Sequence, residues 1–246
     1  MVAVKGGKNV YGVGIGILML ETRFPRIPGD IGHAQTWPFP VHYRVVSGAT
    51  PDKVVRGDPR ALLDDFIREG RALVAMGCDI ITTNCGFLVL LQSELRAALG
   101  VPVATSALMQ VPMVEALLPP GQRAGVLTIS RESLTPGHFR AAGMVPDCPV
   151  EGTDQGREFS RVILNDALEM NVDLARQDLL AAAQRLTRRH ADVGAIVLEC
   201  TNMVPFAADI RRQTGLPVWS VLSLVKWLQA GALPPRFCAE LDDPGI

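Results

Sequence analysis

The sequence predicts an α/β protein of two similar lobes, each built on a parallel sheet, with a cleft between them. Short apolar runs alternate with helical patterns along the chain, and this alternation is typical of parallel sheets joined by right-handed crossovers. The pattern also occurs twice, because shifting the sequence by 115 positions lays Cys85 on Cys200 and Gly100 on Gly215 without a gap. A chain of 246 residues, 48% apolar and 20% charged, can bury a sizeable core.

The internal boundary is predicted at Pro119-Pro-Gly121, so that the first lobe spans residues 1–118 and the second 119–246. In the first lobe the predicted strands are 12–20, 41–46, 79–84 and 101–104, and the predicted helices are 59–76, 86–99 and 106–118. In the second lobe the predicted strands are 123–129, 195–199 and 216–220. Its predicted helices are 130–142 (after a turn), 157–164, 172–190, 204–214 and 221–230, and residues 145–156 are predicted to form a Pro/Gly-rich loop. The last helix is a candidate to pack back on the first lobe.

Composition excludes several classes of protein and site. The formal net charge is −1, no basic block is present and aromatic residues make up 5%, so we expect neither a nucleic-acid nor a membrane partner. The five cysteines have no C-x-x-C spacing and the four histidines are scattered, so we expect no disulfide scaffold and no metal site. The apolar run from Val10 to Leu20 is too short to span a bilayer, and its alternating glycines fit a buried strand better than a signal peptide. We therefore expect a cytoplasmic protein.

Cys85 and Cys200 are the candidate reactive thiols. Each follows a predicted parallel strand, at the edge where open α/β sheets bind ligands. Each also opens a predicted helix, whose amide groups and dipole are expected to lower the pKa of the thiol. The other three cysteines, Cys78, Cys148 and Cys238, are expected to be buried structural residues.

Two thiols facing one small carboxylate suit a specific chemistry. One thiolate removes a proton from a carbon acid and the other thiol returns a proton to the opposite face, which inverts a stereocentre without a cofactor. The substrate carboxylate then needs fixed hydrogen-bond donors. The candidates are backbone amides at Gly86, Phe87, Thr201 and Asn202, together with the side chains of Asn84, Thr201 and Asn202.

Two charged positions near the cysteine turns are further candidates. Arg23 and Arg26 lie in the loop after the first strand, where an arginine would pair with a second substrate carboxylate, and Arg23 is the candidate of the two. Glu199 precedes the second thiol and would orient that thiol, bind a substrate ammonium, or cap the following helix.

Thr-Asn-Cys-Gly-Phe around Cys85 and Glu-Cys-Thr-Asn around Cys200 resemble the paired cysteine motifs of the aspartate/glutamate racemase superfamily. That superfamily also holds hydantoin racemases, maleate cis–trans isomerases and arylmalonate decarboxylases. The resemblance implies two flavodoxin-like lobes, a homodimer, and acid/base catalysis by the two cysteines without PLP or another cofactor. It further implies that Thr201 binds the substrate carboxylate and that Ser130 faces the pocket.

The predicted function is a cofactor-independent racemase or epimerase of a small amino acid or related carboxylate. Within the same superfamily, a maleate-type cis–trans isomerase or a decarboxylase of a dicarboxylate is the alternative. A third class, a ligand-binding protein or a redox sensor that joins Cys85 to Cys200, also fits a pair of facing thiols.

Overall fold

The computed structural model describes residues 6–8, 10–235 and 237 of the chain. Cys238, expected to be a buried thiol, lies outside these residues. No helix among them is both long and apolar enough to cross a membrane.

Two four-stranded parallel sheets form the two lobes. The first sheet has the order β2-β1-β3-β4 and the second the order β6-β5-β7-β8, so the two lobes share one topology. The strands are β1 (Ile15–Leu20), β2 (Val41–Val46), β3 (Ile80–Thr83), β4 (Val103–Ala104), β5 (Arg123–Thr128), β6 (Val150–Gly152), β7 (Val193–Leu198) and β8 (Val218–Trp219). Both β1 and β7 are buried along their whole length, as expected for central strands covered on both faces.

The helices follow the predicted pattern closely. They are α1 (Leu63–Met76), α2 (Gln92–Leu99), α3 (Val111–Leu117), α4 (Pro136–Ala142), α5 (Phe159–Leu164), α6 (Val172–Arg189), α7 (Ala207–Thr214) and α8 (Val221–Ala232). Gly77 ends α1 with a φ of 104°, in the left-handed region that glycine adopts without strain.

The repeat seen in the sequence is also a repeat in the structure. A 3-10 helix of six residues follows each cysteine, over Gly86–Leu91 and over Thr201–Phe206. An α-helix of eight residues comes next in each lobe, α2 and α7, and a two-residue strand after it. The prediction of α-helix directly after Cys85 is therefore corrected, because the first turns are wound more tightly. Neither cysteine side chain caps its turn.

The two lobes interlock through their last helices. Although α3 belongs to the first half of the sequence, it packs beside β5 of the second sheet, and α8 packs back beside β3 of the first. Gln110 fixes this exchange, since its amide donates to the carbonyl of Ser220 (2.9 Å) and accepts from the hydroxyl of Ser223 (2.9 Å). The boundary predicted at residue 118 thus separates two stretches of sequence but not two independent packing units.

One predicted loop contains a strand. Residues 145–156 were expected to be irregular, but β6 lies within them and pairs with β5 from Val126 to Thr128. With three residues, β6 is too short to give an alternating apolar pattern in the sequence.

Candidate active site

Cys85 and Cys200 lie in one pocket between the lobes. Cys85 directly follows the turn after β3 and Cys200 follows β7, so both stand at the carboxyl ends of central strands. Both are free thiols, 9% and 6% exposed. The pocket is lined by Leu20, Thr22, Phe24, Pro51, Val55, Asn84, Cys85, Gly86, Phe87, Ile129, Ile163, Glu199, Cys200 and Asn202. The two thiols that the sequence predicted to face one ligand therefore line the same pocket.

The pKa values of both thiols are raised, contrary to the prediction from the helix starts. Burial raises the pKa of Cys85 to about 12, and the nearby carboxylate of Glu199 adds to the effect. The pKa of Cys200 is also raised, by burial first and then by Glu199. The amides of Phe87 and Leu88 do favour the Cys85 thiolate, but the loss of hydration outweighs them. Both cysteines are thus neutral thiols at neutral pH.

Glu199 is a fully buried carboxyl group in this pocket. Its Oε2 accepts a hydrogen bond from the Thr128 hydroxyl (2.8 Å), and the amide of Ile129 also favours the carboxylate. Its Oε1 has no hydrogen-bond partner. Burial raises the pKa of Glu199 to about 7, so the carboxyl changes its charge near neutral pH.

Residues beside the two thiols also join the lobes. The hydroxyl of Thr201 donates to the carbonyl of Asn84 (2.6 Å), across the lobe boundary. Asn84 lines the pocket, and its side-chain oxygen accepts from the amide of Leu20 (2.7 Å), so its NH₂ group is the part of the side chain still able to donate to a ligand. Asn202 donates to the buried carboxylate of Asp30. Thr201 therefore stands next to the pocket without lining it, and its hydroxyl holds the two cysteine turns together.

Arg23 does not reach the pocket. Its side chain is 74% exposed and pairs with Asp166 of the second lobe. Asp166 also accepts the backbone amides of Arg23 (2.6 Å) and Phe24 (3.0 Å). The expectation that Arg23 binds substrate is therefore corrected: its position serves to attach the loop to the second lobe.

Arg26 is the arginine beside the pocket. Its guanidinium donates to Asp30 (2.7 Å) and to the hydroxyl of Thr22 (2.9 Å), and it stacks on the ring of Phe24 at 4.6 Å. Only 14% of its side chain is exposed. Sequence reasoning missed Thr22 and Phe24 as pocket residues, and it missed the buried ion pair of Arg26 with Asp30 beside the pocket.

Ser130 is buried but does not line the pocket that holds the thiols. Its hydroxyl donates to the hydroxyl of Ser133 (3.0 Å), in the turn that follows β5. Among the described residues, no group of three or more His, Cys, Asp or Glu side chains is placed to hold a metal ion.

Curated relatives cover nearly the whole chain. A dimethylsulfoniopropionate lyase of Durusdinium sp. clade D is 26% identical over 241 residues, which are 93% of this chain and 78% of that protein. Dimethylsulfoniopropionate lyase 7 of Emiliania huxleyi is 29% identical over 235 residues, 91% of this chain and 68% of that protein. No family model matches the chain.

Solved structures with the same fold include decarboxylases and racemases. A sulfate-associated point variant of arylmalonate decarboxylase superposes with a TM-score of 0.61 at 15% identity, over 92% of this chain and 96% of that one. The aspartate racemase of Picrophilus torridus superposes with a TM-score of 0.52 at 14% identity, over 89% and 94% of the two chains. The two-lobed α/β fold of this chain is therefore the fold of these decarboxylases and racemases, as the resemblance of its cysteine turns implied.

Proposed function

We propose that this chain is a cofactor-independent enzyme that removes a proton from the carbon beside a substrate carboxylate, with Cys85 and Cys200 as the acid/base groups. The observation that carries the proposal is the meeting of two thiols, from equivalent turns of two similar lobes, in one buried pocket. General acid–base catalysis needs groups within reach of the reacting carbon on the side where the proton leaves or arrives.

The raised thiol pKa values bear on the choice of substrate. A neutral thiol is a poor base, so a bound substrate must lower the pKa of the thiol that acts. Burial is the main cause of the raised pKa values of both thiols, and Glu199 is the charged group that adds most to that effect. A substrate with a positive group near Glu199 would offset that charge and favour the thiolate. This favours a substrate that carries both a carboxylate and a cation.

Dimethylsulfoniopropionate is such a compound, and the relatives named after it cover most of this chain. We therefore propose β-elimination as the reaction. The thiolate takes a proton from the carbon beside the carboxylate, and the electrons of that C–H bond form a double bond to the next carbon. The bond from that carbon to sulfur breaks with its electrons on sulfur, which releases neutral dimethyl sulfide and acrylate. The thiol then returns the proton to water.

Racemisation of a small amino acid is the second candidate, and the second thiol favours it. Elimination needs one base, whereas inversion of a stereocentre needs an acid and a base on opposite faces. An amino acid also carries a carboxylate and a cation, so the charge argument suits both reactions.

One experiment separates the two reactions. The reduced protein is incubated in D₂O with dimethylsulfoniopropionate and, separately, with a panel of L- and D-amino acids. Headspace gas chromatography measures dimethyl sulfide, and NMR measures loss of each α-proton signal. Dimethyl sulfide release supports the lyase, and exchange with inversion of an amino acid supports the racemase. If protein with reduced thiols gives neither dimethyl sulfide nor proton exchange, the proposal is contradicted.

Cysteine variants test the assignment of the thiols. We expect Cys85→Ala or Cys200→Ala to lower turnover roughly 10²- to 10⁴-fold, the range of a lost acid/base group. If elimination is the reaction, the cysteine that supplies the base will have the larger effect. Cys148→Ala is the matched control, because this buried thiol lies outside the pocket. Equal activity in all three variants would exclude thiol acid/base catalysis.

A further inference from the structure

Glu199 has one carboxylate oxygen that the fold leaves without a partner. The residue is 1% exposed, and its Oε1 is buried with no hydrogen bond, while its Oε2 is held by Thr128. A buried carboxylate that lacks part of its hydrogen bonding is costly. A ligand that supplies the missing positive partner would remove that cost.

The repeat shows that this acid is specific to one lobe. Asn84 occupies the equivalent position before Cys85, since the amide of Asn84 donates to Leu18 (3.0 Å) as the amide of Glu199 donates to Leu127 (2.8 Å). The topology, the turns and the thiols are alike in the two lobes. The residue before the thiol is neutral in one lobe and acidic in the other, so the two ends of a bound ligand meet different charges.

No other lining residue of the pocket carries a charge at neutral pH among those the structure describes. Both thiols are neutral. In the buried ion pair beside the pocket, the charges of Arg26 and Asp30 neutralise each other at a distance of 2.7 Å. The pocket therefore offers one unpaired negative charge.

We propose that Glu199 binds the cationic end of the substrate. The pocket then selects small zwitterions with a sulfonium or ammonium group over carboxylates of the same shape whose other end is uncharged. The proposal rests on the proposed function in taking the thiol pocket as the substrate site. The free NH₂ group of Asn84 then meets the substrate carboxylate from the other lobe. This polarity would hold the carbon beside the carboxylate between the two thiols.

Gly86 leaves room for this carboxylate because it has no side chain. A Cβ atom at Gly86 would lie 2.2 Å from Oε1 of Glu199 and 2.5 Å from its backbone oxygen. Any side chain there would displace Glu199. Gly86→Ala should therefore reduce the selectivity for cations by moving the carboxylate, whereas Glu199→Gln removes its charge.

Binding of an isosteric pair tests the proposal without turnover. 3-(Dimethylammonio)propionate carries a cation, and 4-methylpentanoate is its neutral carbon analogue with the same carboxylate. Isothermal titration calorimetry at about pH 8, one unit above the pKa of Glu199 at about 7, should show about ten- to hundredfold tighter binding of the cation. In Glu199→Gln the ratio should fall to about one, with 4-methylpentanoate bound at least as tightly as before. A purely structural role would weaken both ligands and leave the ratio unchanged.

The pH dependence of the wild-type protein is the second test and needs no variant. Lowering the pH to about 6 protonates Glu199, since its pKa is about 7, and should lower the ratio. The thiols of Cys85 and Cys200 around it stay neutral in this range, because burial raises their pKa values. The Arg26–Asp30 ion pair is the other pair of charged groups nearby. Equal binding of the two ligands, binding of neither, or a ratio that Glu199→Gln does not change would overturn the proposal. Selective binding without release of dimethyl sulfide would refute the lyase reaction but not the role of Glu199.

Discussion

The carboxyl group of Glu199 opposes folding once it is ionised. Its pKa has the ordinary value of 4.5 in the unfolded chain and a value of about 7 in the folded chain. Between these values the folded chain holds a proton that the unfolded chain has released. The free energy of unfolding therefore falls as the pH rises through this window, and the loss is complete above the folded pKa.

We expect Glu199→Gln to stabilise the protein at about pH 8 by roughly 3 kcal/mol, because it removes a buried charge at a site whose pKa is shifted by more than two units. At about pH 5 the two proteins should be nearly equally stable. Urea unfolding at both pH values measures the difference. The comparison between variants is needed because burial also lowers the pKa of His138 to about 4. That shift contributes stability that increases as the pH rises, opposite to the contribution of Glu199. A pH-independent difference would show that Glu199 does not titrate in this range.

At the scale of elements, the loop from Glu21 to Asp30 is fixed by contacts with the second lobe. Asp166 accepts two of its backbone amides, and Asp30 accepts from Asn202. Two residues of the loop, Thr22 and Phe24, line the pocket. The pocket wall therefore depends on a side chain from the opposite lobe.

Asp166→Gly should loosen this wall. Glycine is the suitable replacement because the φ of Asp166 is 50°, which alanine would adopt only with strain. We expect amide hydrogen exchange of Arg23 and Phe24 to speed up by about tenfold or more, since each loses its acceptor, and the KM of the active substrate to rise. Asp147→Ala is the control, as it removes an exposed ion pair of the second lobe. Unchanged exchange at these two amides would mean that Asp166 does not hold the loop.

Local sequence patterns predicted most elements and both thiols, while long-range contacts stayed hidden. The positions of α2 and α7, and of Cys85 and Cys200, follow from the repeat alone. The sequence did not indicate that α3 packs on the second sheet, because an apolar helix face is compatible with either lobe. Nor did it distinguish Arg23 from Arg26, since their directions depend on Asp166 and Asp30. The direction of the thiol pKa shift failed because burial and a carboxylate outweigh two amides.

At the scale of the whole molecule, the exchanged helices predict one cooperative unfolding transition. Each lobe packs a helix of the other half against its sheet, so neither sheet keeps its full core alone. Two variants, one retaining only Trp37 of the first lobe and one only Trp219 of the second, should give the same urea midpoint by fluorescence and by circular dichroism. Separate midpoints for the two tryptophans would show that the lobes unfold independently.

The difference between Asn84 and Glu199 also bears on the ancestry of the chain. A single half would supply one thiol, and two identical copies facing each other would supply two thiols with identical neighbours. Identical copies are encoded by the same gene, so they have the same residue before each cysteine. Once duplication has joined the halves in a single chain, each position mutates separately. The repeat, which runs without a gap at a shift of 115 positions from Cys85 to Val103, fits such a joining. The unequal pair before the cysteines is a divergence that a fused chain can acquire.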